Sequence, residues 1–124
     1  MSQKTPPFDL AERTYEFALR VRLHLKARDW HRVSWTDVSQ LLRSSGSVAA
    51  NYVESQEAVS DDDFTYRIRL CRKEVRESGL WLRLLHDTND LSDEQTQEHT
   101  GLFAEIDELT RIFTSILRKR SANP

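Results

Sequence analysis

Residues that could perform acid–base, nucleophilic or metal chemistry are few and scattered. The four histidines, His24, His31, His86 and His99, occur singly, without the His-x-x-x-His or Glu-x-x-His spacing that builds metal sites in helical bundles. Cys71 falls on an apolar helical stripe, which is typical of an inert buried thiol. The sequence has no Gly-x-Ser-x-Gly elbow and no phosphate-cradling glycine loop. We therefore expect no enzyme, no cofactor and no bound metal.

The segment Ser60-Asp61-Asp62-Asp63 allows two interpretations. A calcium loop would need a glycine turn and a distal glutamate, and neither is present at the required spacing. A helix start fits better, because serine is a preferred N-cap residue and the helix dipole favours carboxylates in the first turn. The segment predicts the beginning of a helix.

A row of cations follows on that helix. Its members span only about 100° of the helix circumference: Arg69, Arg72, Lys73, Arg76 and Arg83. Arginine dominates the row, and its planar guanidinium suits phosphate oxygens. One interpretation is a face that binds nucleic acid. The alternative is a solvated face whose cations pair with Glu74, Glu77 or neighbouring helices.

The preceding helix carries small and polar residues on the side opposite its apolar stripe. They are Ser44, Ser47, Asn51, Glu54 and Ala58. Small side chains allow close approach of another backbone, so we interpret this stripe as a contact with something else; the alternative is a polar surface short of lysine. Gly46, inside the same helix, costs roughly 1 kcal/mol relative to alanine and also indicates close packing.

The composition limits the possible classes of protein. The chain has 124 residues, enough for one domain, and its net charge of −2 gives no global attraction to nucleic acid or anionic membrane. Its single cysteine excludes an internal disulfide and fits a reducing compartment. No apolar run reaches the roughly 20 residues of a membrane span, and residues 1–7 lack a signal-peptide core. We expect a cytoplasmic protein.

Four amphipathic segments separated by short polar loops predict an all-α, antiparallel, up-down-up-down four-helix bundle. The predicted helices run from Leu10 to about Arg28, from Trp35 to about Val59, from Ser60 to about His86, and from Ser92 to Arg120. The bundle domain is predicted over residues 8–120, between a disordered lead-in at 1–7 and a disordered tail at 121–124. The predicted core comprises Leu42, Val48, Tyr52, Phe64, Ile68, Val75, Leu82, Leu102, Ile106 and Phe113.

Several motifs resemble a known family. They are Phe8-Asp-Leu-Ala-Glu-Arg13, Leu42-Arg-Ser-Ser-Gly-Ser-Val-Ala-Ala-Asn-Tyr-Val-Glu54, Asp63-Phe64, Cys71-Arg-Lys-Glu-Val-Arg-Glu77 and Trp81-Leu-Arg-Leu-Leu85. Together they are similar to the four-helix bundle proteins encoded in intervening sequences of bacterial 23S ribosomal RNA, which are related to accessory proteins of diversity-generating retroelements. The resemblance implies a barrel-shaped homopentamer with a nucleic-acid role. It places Arg43, Asn51, Glu54 and Glu77 at the family's motif positions.

These observations leave two classes of function. In the first, the protein is a homo-oligomer that binds RNA or DNA through the arginine row. In the second, it is a protein–protein adaptor or assembly scaffold without nucleic-acid binding. For either class, the residues expected at subunit contacts or in the structural motif are Arg43, Ser47, Asn51, Glu54, Glu77 and Trp81.

Overall fold

The computed structural model describes residues 9–122, and four helices make up most of this range. They are α1 (Leu10–Lys26), α2 (Trp35–Gln56), α3 (Asp61–Asp87) and α4 (Asp93–Ala122), with a short 3-10 turn at Arg32–Ser34 between α1 and α2. The described residues contain no strand. The predicted all-α four-helix bundle is therefore confirmed. Helix α4 continues two residues past the predicted boundary at 120; the predicted lead-in and positions 123–124 lie outside the described residues.

Local capping explains where α3 and α4 begin. The Ser60 hydroxyl accepts a hydrogen bond from the Asp63 N–H at 3.0 Å, and the Asp63 carboxylate accepts from the Val59 N–H at 3.2 Å. Ser92 and Gln95 form a fully reciprocal capping box: the Ser92 hydroxyl accepts from the Gln95 N–H at 3.1 Å, and the Gln95 side chain accepts from the Ser92 N–H at 3.2 Å. Each arrangement satisfies two main-chain donors at a helix start. The acidic segment after Ser60 is thus a helix start, as predicted.

The core is a single apolar cluster to which all four helices contribute. Seven of the ten predicted core residues are buried: Val48, Ile68, Val75, Leu82, Leu102, Ile106 and Phe113. The other three are only partly buried and pack against the rim of the cluster: Leu42, Tyr52 and Phe64. The prediction of full burial was wrong for them. Phe64 lies in the first turn of α3, where the Arg120 guanidinium covers its ring at 4.2 Å. Tyr52 ends in a polar hydroxyl, which favours the rim of a core over its centre.

Each helix packs mainly against two others. The contacts join α1 to α2, α2 to α3 and α3 to α4, and the least extensive one joins α1 to α4. Ion pairs support this last contact: Arg13 binds Glu105 at 2.8 Å, and Arg20 binds Glu98 at 3.2 Å. None of the four described helices contains an uninterrupted apolar stretch of the length that a membrane span requires.

Gly46 is explained by a neighbouring side chain. The Arg22 guanidinium of α1 lies across it, and a Cβ atom at position 46 would be only 2.9 Å from Nη2 of Arg22. Arg22 donates to the Leu42 carbonyl oxygen at 3.1 Å and to the Ser45 hydroxyl at 3.2 Å. The close packing expected at this glycine is therefore present, and it is made by a cation from α1.

Candidate nucleic-acid interface

Four of the five predicted cations lie together. Arg69, Arg72, Lys73 and Arg76 line one surface depression on α3. Arg69 and Arg72 also line an adjoining depression, where α4 contributes Arg118. We call the five residues Arg69, Arg72, Lys73, Arg76 and Arg118 the basic cluster. It bridges α3 and α4, and both depressions are open to solvent.

Most of the positive charge of the basic cluster is not neutralised by carboxylates of the described residues. Among the described residues, Arg69, Arg76 and Arg118 form no ion pair with a carboxylate. Arg72 donates to the Thr114 hydroxyl at 3.3 Å, a neutral partner that fixes the side chain against α4. Lys73 lies 3.9 Å from Glu74 and is 64% exposed. These guanidinium groups therefore keep donors available for an external anion.

Arg83 lies apart from the cluster. It lines neither depression, and its closest carboxylate is Asp87, one turn further along α3, at 3.8 Å. Arg118 was missed by the sequence analysis because it lies on another helix. Only the packing of α4 against α3 brings it beside Arg69 and Arg72.

The carboxylates that were the alternative partners of the cations are bound mainly by Arg43, although Lys73 also approaches Glu74. Arg43 of α2 donates to Glu74 at 3.2 Å, to Glu77, and to Gln40 at 3.0 Å. Glu74 has only 10% of its side chain exposed, whereas Arg43 has 46%. The motif residues Arg43 and Glu77 thus join α2 to α3 inside one chain, and they leave the basic cluster largely unpaired.

The small-residue stripe of α2 also meets α3. Ser44 is fully buried, and its hydroxyl lies 2.8 Å from that of Ser78. The prediction of an external contact is wrong for Ser44, because α3 occupies that side of α2. Asn51 donates to the Ser47 carbonyl oxygen at 3.0 Å and accepts from Arg67 of α3 at 3.2 Å. Both hydrogen bonds are made within the chain.

The remaining predicted contact residues differ in exposure. Ser47 is partly buried, and Glu54 is exposed and forms no ion pair with any described residue. Trp81 is partly buried, and its indole N–H is buried without a hydrogen-bond partner among those residues.

Exposed apolar residues lie on the side of α3 that faces away from the core. Tyr66, Leu80 and Leu84 are 55%, 50% and 37% exposed, and the helical period places all three on that side, with Tyr66 about four turns before the other two. Trp81, beside Leu80, turns towards the core and packs against it. We call Tyr66, Leu80 and Leu84 the outer face of α3. It adjoins the basic cluster on the same helix.

Cys71 has the environment expected of an inert thiol. It is fully buried, and its Sγ atom lies 3.5 Å from the carbonyl oxygen of Val48. Burial raises its pKa to about 12, so the thiol stays protonated at neutral pH and is a poor nucleophile. Within residues 9–122, no group of three or more His, Cys, Asp or Glu side chains is placed to hold a metal ion.

The fold and this surface define a small all-helical bundle protein with a basic face on α3 and α4. The chain belongs to the 23S rRNA-intervening sequence protein family, whose family model matches residues 8–115. A similar solved structure is a protein of unknown function from the S23 ribosomal protein family of Bacteroides thetaiotaomicron VPI-5482. The two chains are 27% identical, the match covers 86% of this chain and 96% of the other, and the TM-score is 0.72. No curated protein matches this chain.

Proposed function

We propose that this protein is a non-enzymatic, cytoplasmic, self-assembling bundle that binds the sugar–phosphate backbone of RNA or DNA through the basic cluster. One observation carries the proposal. Arg69, Arg72, Lys73 and Arg76 line one depression, and no carboxylate of the described chain pairs with Arg69 or Arg76. Family membership is consistent with this function, since the family is named for an element of ribosomal RNA.

The chemistry favours backbone contacts over base recognition. Guanidinium groups donate paired hydrogen bonds to phosphate oxygens, and such contacts carry no sequence information. Four or five phosphate contacts would lower affinity about 10²- to 10³-fold between 50 and 200 mM salt, by release of condensed counterions. Binding should therefore be largely independent of sequence and strongly dependent on salt.

The helices of the proposed subunit run antiparallel, up-down-up-down. In support, the residue numbers of α2 and α3 run in opposite directions along their contact: Arg43 meets Glu77, Val48 meets Cys71, and Asn51 meets Arg67. We further propose a symmetric homo-oligomer, a pentamer by resemblance to the family. The outer face of α3 supports this assembly, because exposed apolar patches rimmed by charge are typical of protein contacts. Symmetry would repeat the basic cluster around an axis.

A charge-matched pair of variants tests the binding proposal. Replacing Arg69, Arg72 and Arg76 together by Gln should abolish binding to a labelled RNA or DNA duplex at 50 mM salt. The control replaces Lys26, Arg32 and Arg111 by Gln, which removes the same charge elsewhere, and should bind like the parent. If both triple variants lose binding equally, net charge rather than the cluster is responsible.

Light scattering tests the assembly separately. The parent should have a mass several times the 14.5 kDa of one chain, and Leu80→Glu with Leu84→Glu should reduce it while circular dichroism shows the same helicity. Val33→Glu with Val59→Glu, at positions 75% and 92% exposed, is the control and should leave the mass unchanged. A monomeric parent at micromolar concentration would refute the assembly.

The outer face of α3 also supports a second candidate function, a protein–protein adaptor or assembly scaffold. It becomes the better account if the parent binds neither RNA nor DNA at low salt. In that case the Leu80 and Leu84 variants would still alter the assembly or the binding of a protein partner.

A further inference from the structure

Two histidines meet in the buried contact between α1 and α4. The rings of His24 and His99 are edge to face with centroids 4.6 Å apart, and their residues are only 5% and 1% exposed. His86 of α3 approaches His99 from another side, at 5.6 Å between ring centroids. Three helices thus place a histidine at one end of the bundle.

The nitrogen atoms of this pair are poorly satisfied. Nε2 of His24 and both ring nitrogens of His99 are buried, and none has a hydrogen-bond partner among the described residues. Even the neutral ring carries one N–H donor, which is costly to bury unpaired. A charged ring in the same place would cost far more.

The charged and titratable groups around the pair come from every element packed against it. They are Arg20 and Arg28 near the end of α1, His86 with its partner Asp87 on α3, and Glu94 and Glu98 on α4. Glu98 already pairs with Arg20 at 3.2 Å. Among residues 9–122, no carboxylate bonds to either buried ring in this closed state of the bundle.

This environment disfavours protonation of both rings. Burial lowers the pKa of His99 to about 4, and the charge of a protonated His24 acts in the same direction. The main-chain carbonyl groups of Gln95 and Leu82 lie close enough to the His99 ring to raise its pKa. Neither carbonyl group forms a hydrogen bond of normal geometry with the ring. Burial also lowers the pKa of His24; Glu98 opposes this shift.

We propose that the His24–His99 pair is an acid-sensitive latch, whose protonation separates α1 from α4 at this end of the bundle. Three features favour opening at this place. The α1–α4 contact is the least extensive of the four. A surface depression lined by Leu23, His24 and Glu98 already reaches His24, so a small movement of α1 brings this ring, and His99 behind it, to water. A protonated His24 can then pair with Glu98, in competition with Arg20.

The direction of the pH effect follows from the two states. In the open state both rings are hydrated and have the ordinary histidine pKa of about 6.5, whereas in the closed state protonation is delayed to lower pH. Protons therefore bind preferentially to the open state as pH falls below 6.5. For His99 alone, a closed-state pKa of about 4 raises the opening equilibrium constant about 30-fold between pH 7.5 and pH 5. The opening equilibrium constant levels off below about pH 4, where His99 is protonated in both states.

Native-state amide hydrogen exchange on the full chain tests the latch. After correction for intrinsic exchange rates, protection of residues 20–26 and 95–102 should fall about 30-fold between pH 7.5 and pH 5. Protection of residues 41–52, in the α2–α3 contact, should change much less. Unchanged protection at α1 and α4, or an equal loss throughout the bundle, would overturn the proposal.

Two comparisons make the assignment specific. Replacing both rings, His24→Phe with His99→Phe, should abolish the local loss of protection at pH 5, whereas His31→Gln, at an exposed histidine, should retain it. A local loss that persists in the double variant would overturn the proposal. If the double variant does not fold, an NMR titration of the parent decides: the His99 ring proton should shift only well below pH 6.5, together with α1–α4 contacts. Titration near pH 6.5 with these contacts intact would contradict the latch.

Discussion

Arg43 is predicted to stabilise the subunit by joining α2 to α3. It bonds Gln40, Glu74 and Glu77 at once, and Glu74 is a nearly buried carboxylate. Replacing Arg43 by Ala leaves this carboxylate with only Lys73, 3.9 Å away and largely exposed. The free energy of unfolding should therefore fall.

The size of the effect follows from the exposure of the partners. A hydrogen bond to a charged group contributes about 1.5 to 3 kcal/mol when buried, and a surface ion pair contributes about 0 to 1 kcal/mol. The bond from Arg43 to Glu74 belongs to the first class, because Glu74 is nearly buried. Arg43 itself is 46% exposed, so solvent weakens the stabilisation that this bond provides. We expect a net loss of about 2 kcal/mol, equivalent to a fall in Tm of about 6 to 10 °C for a domain of this size.

The loss of unfolding free energy is measured by urea denaturation, with circular dichroism as the probe of helix content. Measurements at two protein concentrations separate the contribution of subunit association from that of the single chain. A double-mutant cycle with Glu74→Ala isolates the pair, which should couple by about 1 to 2 kcal/mol. A loss below about 0.5 kcal/mol, in the range of ordinary surface substitutions, would refute the role of Arg43 as an intrachain link. Arg43 would then be free to act between subunits.

Three further predictions concern the core, a cap and the thiol. Phe113→Ala should lower the free energy of unfolding by about 3 to 5 kcal/mol, because Phe113 is fully buried. Phe103→Ala, at a partly buried position, should lower it less. Equal losses for the two variants in urea denaturation would contradict this prediction. Ser60→Ala should cost about 1 kcal/mol and Ser60→Asp almost nothing, since Asp can also cap; a similar loss in both would argue against capping. Cys71 should react with a thiol reagent at pH 8 only when the chain is unfolded, and rapid labelling of the folded protein would contradict its burial.

The helices and their starts were predictable because they depend on local signals. The apolar periodicity of each segment and the serine caps at Ser60 and Ser92 act within a few residues of sequence. Helix ends were less accurate: α1 ends at Lys26 and α2 at Gln56, two and three residues before the predicted ends. Neither end carries a glycine or proline to mark it, so the sequence held no sharp stop signal.

Contacts between helices were predicted less well, because periodicity gives a side of a helix but not its neighbour. The stripe containing Ser44 was assigned to an external partner, yet it meets Ser78 of α3. The arginine row was identified from α3 alone, so it included the separate Arg83 and omitted Arg118. The close approach of His24 and His99 depends on packing between the first and last helices, and no local pattern indicates it.

The central claim is that the basic cluster holds a nucleic-acid backbone. The most direct test is fluorescence anisotropy of one labelled RNA duplex titrated with the parent protein at 50 and 200 mM salt, beside the Arg69, Arg72 and Arg76 triple Gln variant. The account predicts that the parent binds at 50 mM salt, loses about 10²- to 10³-fold in affinity at 200 mM, and that the triple variant does not bind. No binding by the parent at 50 mM salt, or equal binding by the variant, would contradict it.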